Sequence, residues 1–396
     1  MADAIEDEEI EVDAAVVLVL FSAWYYKRNY DKRQDPFTAS RRALTHQQLR
    51  YSDKKLFQHT GLTRRVFNAL LRWLRDKDEV ADTRSIELEE RLLIFLHICR
   101  YGASLQMTAD EFGRAKSTVS KCFYLILSAL QTLYNEVVKA PQPEVVQSEI
   151  EDDPRMFPFF RDCLGAIDGT HIAAHVPRSE QVPFSNRKGN ITQNVFAACS
   201  FDLRITHIHA GWEGSAHDSI VMQHSIAEGR WRVPEGKYYL ADAGYSNCDF
   251  LLVPYQKVRY HLKEWATSNL RPQDPKELFN KRHATLRNAI ERLFGVLKRK
   301  WKVLAVAPEI SVASQVNIVL AVAAIHNFII SMGCHDDPDF QRFDDEKDEE
   351  DEEKTAPLMP GLSRAGTARM NSKRADIAEA MWSDYRVHRI GRGLGL

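Results

Sequence analysis

The chain has 396 residues, 44% of them hydrophobic, and a formal net charge of −2. That length exceeds one compact core and suggests two domains plus tails. Six scattered cysteines with no CxxC pair argue against a cysteine-held zinc or a disulfide framework and for reduced intracellular thiols. Near-neutral total charge hides segregation. Residues 336–353 hold twelve acids against Arg342 and Lys347, whereas residues 281–302 hold eight Lys or Arg and one acid. A basic face and an acidic tail can cancel in the sum.

In chain order, the apolar run Ala14 to Tyr26 is shorter than the ~20 residues a membrane span needs. The residues before it are acidic, unlike a signal peptide. It predicts a buried helix, no membrane, and a nuclear or cytoplasmic location. Residues 1–138 read as mainly helical. Leu56 and Phe57, then Val66, Phe67, Leu70, Leu71 and Leu74, recur at three- and four-residue spacing, with Thr63 as an N-cap. Glu87 to Tyr101 carries a second apolar stripe. Thr108 to Lys121 reads as short helix, glycine turn and helix, with Ser117 capping the second, so a helix-turn-helix-like element is expected near 108–130. Its cations are Arg114, Lys116 and Lys121; many such hairpins never touch DNA.

Residues 139–158 read as a linker. From 159 to 333 the pattern becomes mixed α/β. Leu164–Asp168, Asn194–Ser200, Ile205–Trp212 and Tyr238–Asp242 are strand-like. Ser219–His224, Pro275–Trp301 and 311–333 read as helices. A histidine in the last of these, His326, is expected to be packed or hydrogen-bonded. Residues 334–373 are expected to be acidic and flexible. Within 374–396, Ile377, Met381 and Trp382 have helical spacing and predict a terminal helix that docks back.

Four acids sit in strongly patterned surroundings. Asp168 ends an apolar strand and precedes Gly169, which leaves room for a phosphate or metal, although Asp-Gly pairs also close turns. Asp242 repeats the arrangement before Gly244. Two acids at the carboxyl ends of neighbouring strands would lie side by side, where open α/β sheets hold ligands. Asp218 begins a helix, either as its N-cap or as a further metal oxygen. Glu291 lies off the stripe of Ile290, Leu293, Phe294, Leu297 and Trp301, on a face with Arg287, Lys298 and Lys302. Either an Arg287–Glu291 surface pair or a metal ligand among phosphate-binding cations explains it. All-carboxylate ligation selects Mg²⁺ or Mn²⁺. Two such ions about 4 Å apart would activate a water or 3′-hydroxyl and stabilise the leaving oxygen. Arg187 and Lys188, in a basic loop, suit phosphate contacts. His171, His175, His207, His209 and His217 suggest hydrogen-bonded or DNA-proximal roles rather than a metal site. No GxSxG or Walker loop occurs.

The blocks GAIDGTHI, FSNRKGNITQNVFAAC, THIHAGWEGSAHDS, YYLADAGYSN, ELFNKRHATLRNAIERLFGVLKRKW and AAIHNFI resemble the PIF/Harbinger-type transposases of the DDE endonuclease group. The likeness spans about residues 157–330, and HTGLTRRVFNALLRWL with the Thr108–Lys121 turn is similar, less specifically, to that family's N-terminal region. It implies an RNase H-like mixed sheet flanked by helices, preceded by the helical domain. It implies Asp168, Asp242 and Glu291 as catalytic acids, Asp218 as a further acid of the metal site, and a divalent cation, Mg²⁺ or Mn²⁺. Topology favours Asp242 over Asp218 as the triad's second member. Family enzymes cut and join DNA at transposon ends and commonly act with a separate Myb-like DNA-binding partner; a homo-oligomer is also expected. DNA contacts are expected at Arg187, Lys188, Arg287, Lys298, Lys302, Lys116 and Lys121. The rival readings are a domesticated, non-catalytic DNA-binding or interaction factor on the same scaffold, and a ribonuclease.

Overall fold

A computed structural model describes residues 49–78, 80, 86–259, 271–333, 337–341 and 363–391. The helix expected over Ala14 to Tyr26 and the acidic residues 342–353 lie outside them. Five strands form one mixed sheet: β1 (Cys163–Ala173), β2 (Thr192–Cys199), β3 (Ile205–Glu213), β4 (Tyr238–Leu240) and β5 (Leu251–Leu252). Their order is β3-β2-β1-β4-β5. β1, β2 and β3 pair antiparallel, while β4 and β5 run parallel to β1. β5 has only two residues, too short to show a period of its own.

Alternation along the strands divides the core in two. Ala166, Ile172, Val195, Ala197, Leu240 and Leu252 face one side. Leu164, Ile167, Phe196, Ala198, Tyr239 and Leu251 face the other, against Val221, Met222 and Trp231. Among the described residues, the longer helices ahead of the sheet are α1 (Asp53–Thr60), α2 (Arg64–Asp76), α3 (Leu88–Tyr101), α4 (Leu105–Phe112) and α5 (Lys116–Val137). The helices within and beyond it are α6 (Asp218–Ala227), α7 (Pro275–Lys300), α8 (Val312–Ser331) and α9 (Arg364–Gly391). α7 and α8 share the first core with α1 to α5, so the helical region and the sheet bury one continuous apolar cluster. α8 is long and apolar enough to cross a membrane, yet 67% of its most apolar window is buried inside the fold.

Thr63 caps α2 as expected, its side chain accepting from the Val66 amide. Gly113 ends α4 in the left-handed region that glycine tolerates, at φ 58°, and turns the chain into α5. Ser117 does not cap α5; the N-cap is Ala115, and Ser117 lies within the first turn. Of that element's three cations, Arg114 is engaged in an ion pair within the fold. Its guanidinium makes two hydrogen bonds to buried Glu90, at 2.7 and 2.6 Å.

The stretch 139–158 is packed rather than open. Ile150 and Met156 are buried, and Gln147 bonds to the Leu164 carbonyl and the Phe201 amide. At the far end of α7, Lys300 is fully buried and would be costly without counterions. Asp337 and Asp339 supply them at 2.7 and 3.3 Å, and Asp339 also binds Arg100. The start of the acidic run is therefore part of the core's ion network and not open chain. α9 covers the expected Arg374–Tyr385 helix and begins ten residues earlier, inside the stretch expected to be flexible. It is held by buried Met370, Ile377 and Met381 and by Arg369–Asp249 and Lys373–Asp162 pairs.

Candidate active site

Asp168 lies on β1 in phase with Ala166 and Ile172, so it faces the side covered by α7. β1 pairs in parallel with β4 at Ala166–Leu240. Asp168 and Asp242 each lie two residues beyond that pair and so are in step, but Asp168 is mid-strand in β1, which runs on to Ala173 and does not end at the acid, whereas Asp242 follows the end of β4. The Asp242 carboxylate accepts from the Gly244 amide at 2.9 Å, as Asp168 Oδ1 does from Gly169.

Glu291 approaches from α7. Ile290, Leu293, Phe294, Leu297 and Trp301 are all buried, as the stripe predicted, and each full burial contributes about 1.5–3 kcal/mol. This anchors the helix and leaves the Glu291 side chain 40% exposed beside Asp168. One turn earlier lies Arg287, and its placement corrects the sequence reading. Arg287 is 4% exposed and is not a surface cation awaiting phosphate. One guanidinium nitrogen donates to Asp168 Oδ2 at 2.6 Å, and another donates to Glu291 Oε1. A single guanidinium thus spans the first and last acids.

Asp218 arrives from the opposite face of β1. It is the first residue of α6, not the cap; His217 caps the helix, its ring accepting from the Ser219 amide. Its carboxylate occupies the space where a side chain at 169 would stand: a Cβ there would meet Asp218 Oδ1 at 2.2 Å. Asn194, on the same face of β2, donates from Nδ2 to Asp218 Oδ1 at 2.6 Å. Gly169 therefore serves the close approach of a second carboxylate as much as a turn.

Tyr245 completes the cluster. It is 3% exposed, and its hydroxyl has no hydrogen-bond partner among the described residues. Burial raises its pKa well above the usual phenol value, and the charges of Asp218, Asp168 and Asp242 add to the rise, against Arg287. Its surroundings thus include three of the four acids. The buried Asn194 Oδ1 likewise has no partner among the described residues. Neither residue stood out in the sequence. Their signals were a polar residue inside an apolar strand and a tyrosine two residues beyond Ala243.

The remaining expected residues lie around this centre or away from it. Arg187 and Lys188 are exposed on the β1–β2 loop. Lys302 is exposed just past α7, and Lys298 is partly exposed. Lys116 and Lys121 are exposed on the first turns of α5. The basic face of α7 is thinner than the sequence suggests, because Arg282, Arg287 and Lys300 are buried. Among the histidines, His207 and His209 both bond to Ser225 Oγ at 2.8 Å, and His171 bonds to Thr192. His326 bonds to the Leu203 carbonyl, as expected of a packed histidine.

Residues 167–327 match the family described as DDE superfamily endonuclease, and residues 38–132 match a domain of unknown function. "Putative nuclease HARBI1" of Rattus norvegicus is 23% identical over 63% of this chain and 70% of its own length. The Homo sapiens protein of that name gives the same figures. "Protein ALP1-like" of Arabidopsis thaliana is 25% identical over 62% of each chain, so this chain spans less than two thirds of that relative. No solved structure matches. The stretch that matches the DDE superfamily endonuclease family, residues 167–327, therefore holds all four acids, and the relatives this chain is similar to carry the names putative nuclease HARBI1 and ALP1-like.

Proposed function

We propose that this chain is a divalent-metal-dependent DNA endonuclease of transposase descent, built on an RNase H-like core. The reading rests on one observation above all. Parallel pairing of β1 with β4 sets Asp168 beside Asp242, while α7 delivers Glu291 to within one guanidinium of Asp168. The strand order, three antiparallel strands followed by two parallel ones, agrees with that core.

The residues present fit a hard divalent cation. Their donors are carboxylate oxygens, beside a Tyr245 hydroxyl that has no hydrogen-bond partner among the described residues, and such oxygen sets favour Mg²⁺ or Mn²⁺. Asp168, Asp242 and Glu291 would hold the metal. Asp218 faces away across β1 and either supports that strand or adds an oxygen at its edge. Bound there, the cation supplies activation of a water or 3′-hydroxyl and stabilisation of the leaving oxygen. The chain's own groups do the rest. Arg287 orients Asp168 and Glu291, Asn194 orients Asp218, and Lys298, Lys302, Arg187 and Lys188 attract the phosphate backbone. Lys116 and Lys121, on the helix-turn-helix-like α4–α5 pair, extend that contact. DNA is the partner, a Myb-like protein and a second copy of the chain are further partners, and the nucleus is the site of action.

The Arg287 bridge favours a second reading. A guanidinium that neutralises two acids suits a domesticated DNA-binding factor without catalysis. Nicking of labelled inverted-repeat DNA with Mn²⁺ decides between them. Activity in the wild type that Asp168→Asn abolishes, with DNA binding retained, supports the nuclease. Binding without nicking in the wild type supports the second reading.

A further inference from the structure

At the other end of α6 lies a cluster of different chemistry. His209 on β3, His224 on α6 and Glu228 at its C-terminus each offer one donor atom, and these atoms all lie within 4.8 Å of one another. His224 Nε2 is 3.4 Å from Glu228 Oε1, one helical turn away. His224 and Glu228 lie six and ten residues past Asp218, so about 9 and 15 Å farther along the helix direction. His209 is on β3, two strands from Asp168 on β1. This cluster is separate from the four acids.

We propose that His209, His224 and Glu228 form a second metal site, one that takes Zn²⁺. The proposal does not depend on the nuclease reading. Two imidazoles with one carboxylate are a borderline-soft set that suits zinc and not magnesium, in contrast to the all-oxygen acid cluster.

The surroundings prepare His209 for that role. The Trp212 indole N–H donates to His209 Nε2 at 3.3 Å, so Nε2 carries a lone pair and Nδ1 carries the proton. Nδ1–H then donates to Ser225 Oγ at 2.8 Å, and the Ser225 hydroxyl passes its own proton toward His207 Nε2, also at 2.8 Å. Ser225 is fully buried, so this arrangement is fixed. A metal-ligating histidine usually donates its far N–H to a carboxylate, a backbone carbonyl or water, and Ser225 Oγ stands in that acceptor's place here. Burial also lowers the His209 pKa to about 4, which keeps the ring neutral at pH 7.

Zinc-bound donors in a tetrahedral site stand about 3.3 Å apart, given metal–ligand bonds of about 2.0–2.2 Å. The spread here closes by rotation of His224 and Glu228, whose side chains are 43% and 36% exposed. The metal must displace the long indole bond, and it must share Glu228 with Arg230, which pairs with that carboxylate at 2.7 Å. The fourth position opens to solvent. Occupied, the site ties the C-terminal half of α6 to β3.

The test is calorimetric titration of Zn²⁺ into the metal-stripped full chain in excess Mg²⁺, with visible Co²⁺ spectra in parallel. The wild type is expected to take one Zn²⁺ and to give Co²⁺ d–d bands. Ser225→Ala should weaken binding by about 10–100-fold, the cost of removing a ligand's support, and His224→Ala or Glu228→Gln by more. His224 and Glu228 are exposed enough that these variants should fold, with a thermal midpoint matching that of the metal-stripped wild type. Asp168→Asn should bind Zn²⁺ unchanged. No Zn²⁺ uptake by the wild type, equal uptake by His224→Ala and Glu228→Gln, or loss of uptake in Asp168→Asn would each overturn the proposal.

Discussion

Replacing Gly169 with alanine tests the packing of the acid cluster through one methyl group. The new Cβ would stand 2.2 Å from Asp218 Oδ1, 2.3 Å from its Cγ and 2.9 Å from Oδ2. Ordinary van der Waals contact begins at 3.4 Å, so the carboxylate or β1 itself must retreat by about 1.2 Å. That retreat breaks the 2.6 Å bond from Asn194 or shifts the strand that carries Asp168. Overpacking of this kind costs about 1–3 kcal/mol, with Tm falling by about 2–4 °C per kcal/mol. A displacement near 1 Å beside reacting groups costs about 100-fold in rate. The assay is thermal unfolding together with Mn²⁺-dependent nicking of labelled DNA. Gly169→Ala/Asp218→Gly restores the space and should recover the overpacking cost, though not the bond from Asn194. Its nicking rate then reports whether Asp218 acts directly or only supports β1. A Gly169→Ala protein with wild-type Tm and wild-type nicking would refute the reasoning.

Arg287→Met removes the guanidinium between Asp168 and Glu291. Metal-free stability should fall by about 1–3 kcal/mol, because two carboxylates lose their shared donor while remaining partly solvated. Mn²⁺ affinity should rise, since the cation no longer competes with an arginine; calorimetry reads both. Charge reversal at Lys298 and Lys302 should weaken DNA binding on all sequences and flatten its dependence on salt, measured by fluorescence anisotropy across a salt series. Stability should also fall with acid before the carboxylates titrate. Burial lowers His97, His207, His209 and His326 to about 4 and His283 to about 3, against an unfolded value of 6.5. Their contribution is complete above pH 6.5 and is lost as pH falls toward 4, because only the unfolded chain takes up those protons in that window. Each such histidine can contribute up to about 1.4 kcal/mol per pH unit. Denaturant unfolding between pH 7 and pH 4.5 measures the slope.

The sequence carried the fold's long elements well. α3, α7 and α8 each bury a face repeated over three or more turns, and β1 to β4 are short apolar or alternating runs bounded by turn residues. β5 was not legible, because two residues carry no period and are fixed by the parallel partner β4. The four acids were legible from their glycine-rich and helical surroundings. Arg287 was not. It shares a helix side with Glu291 in a helical projection, but the central strand β1 packs over it, which only the tertiary structure reveals. Lys300 misleads in the same way. It extends a run of basic residues, yet Asp337 and Asp339 accompany it into the core. Ser117 and Asp218 were misplaced by one or two positions as caps, the usual error where several capping residues adjoin. His224 and Glu228 join His209 only because α6 lies along β3, and no local motif announces that contact.

The claim that Asp168, Asp242 and Glu291 converge to hold a hard divalent cation is tested most directly by Mn²⁺ titration of the full chain, followed by electron paramagnetic resonance. Saturable binding that weakens by at least about tenfold in each of Asp168→Asn, Asp242→Asn and Glu291→Gln, about 1.4 kcal/mol per ligand lost, is the predicted result. Mn²⁺ affinity unchanged across all three variants would contradict it.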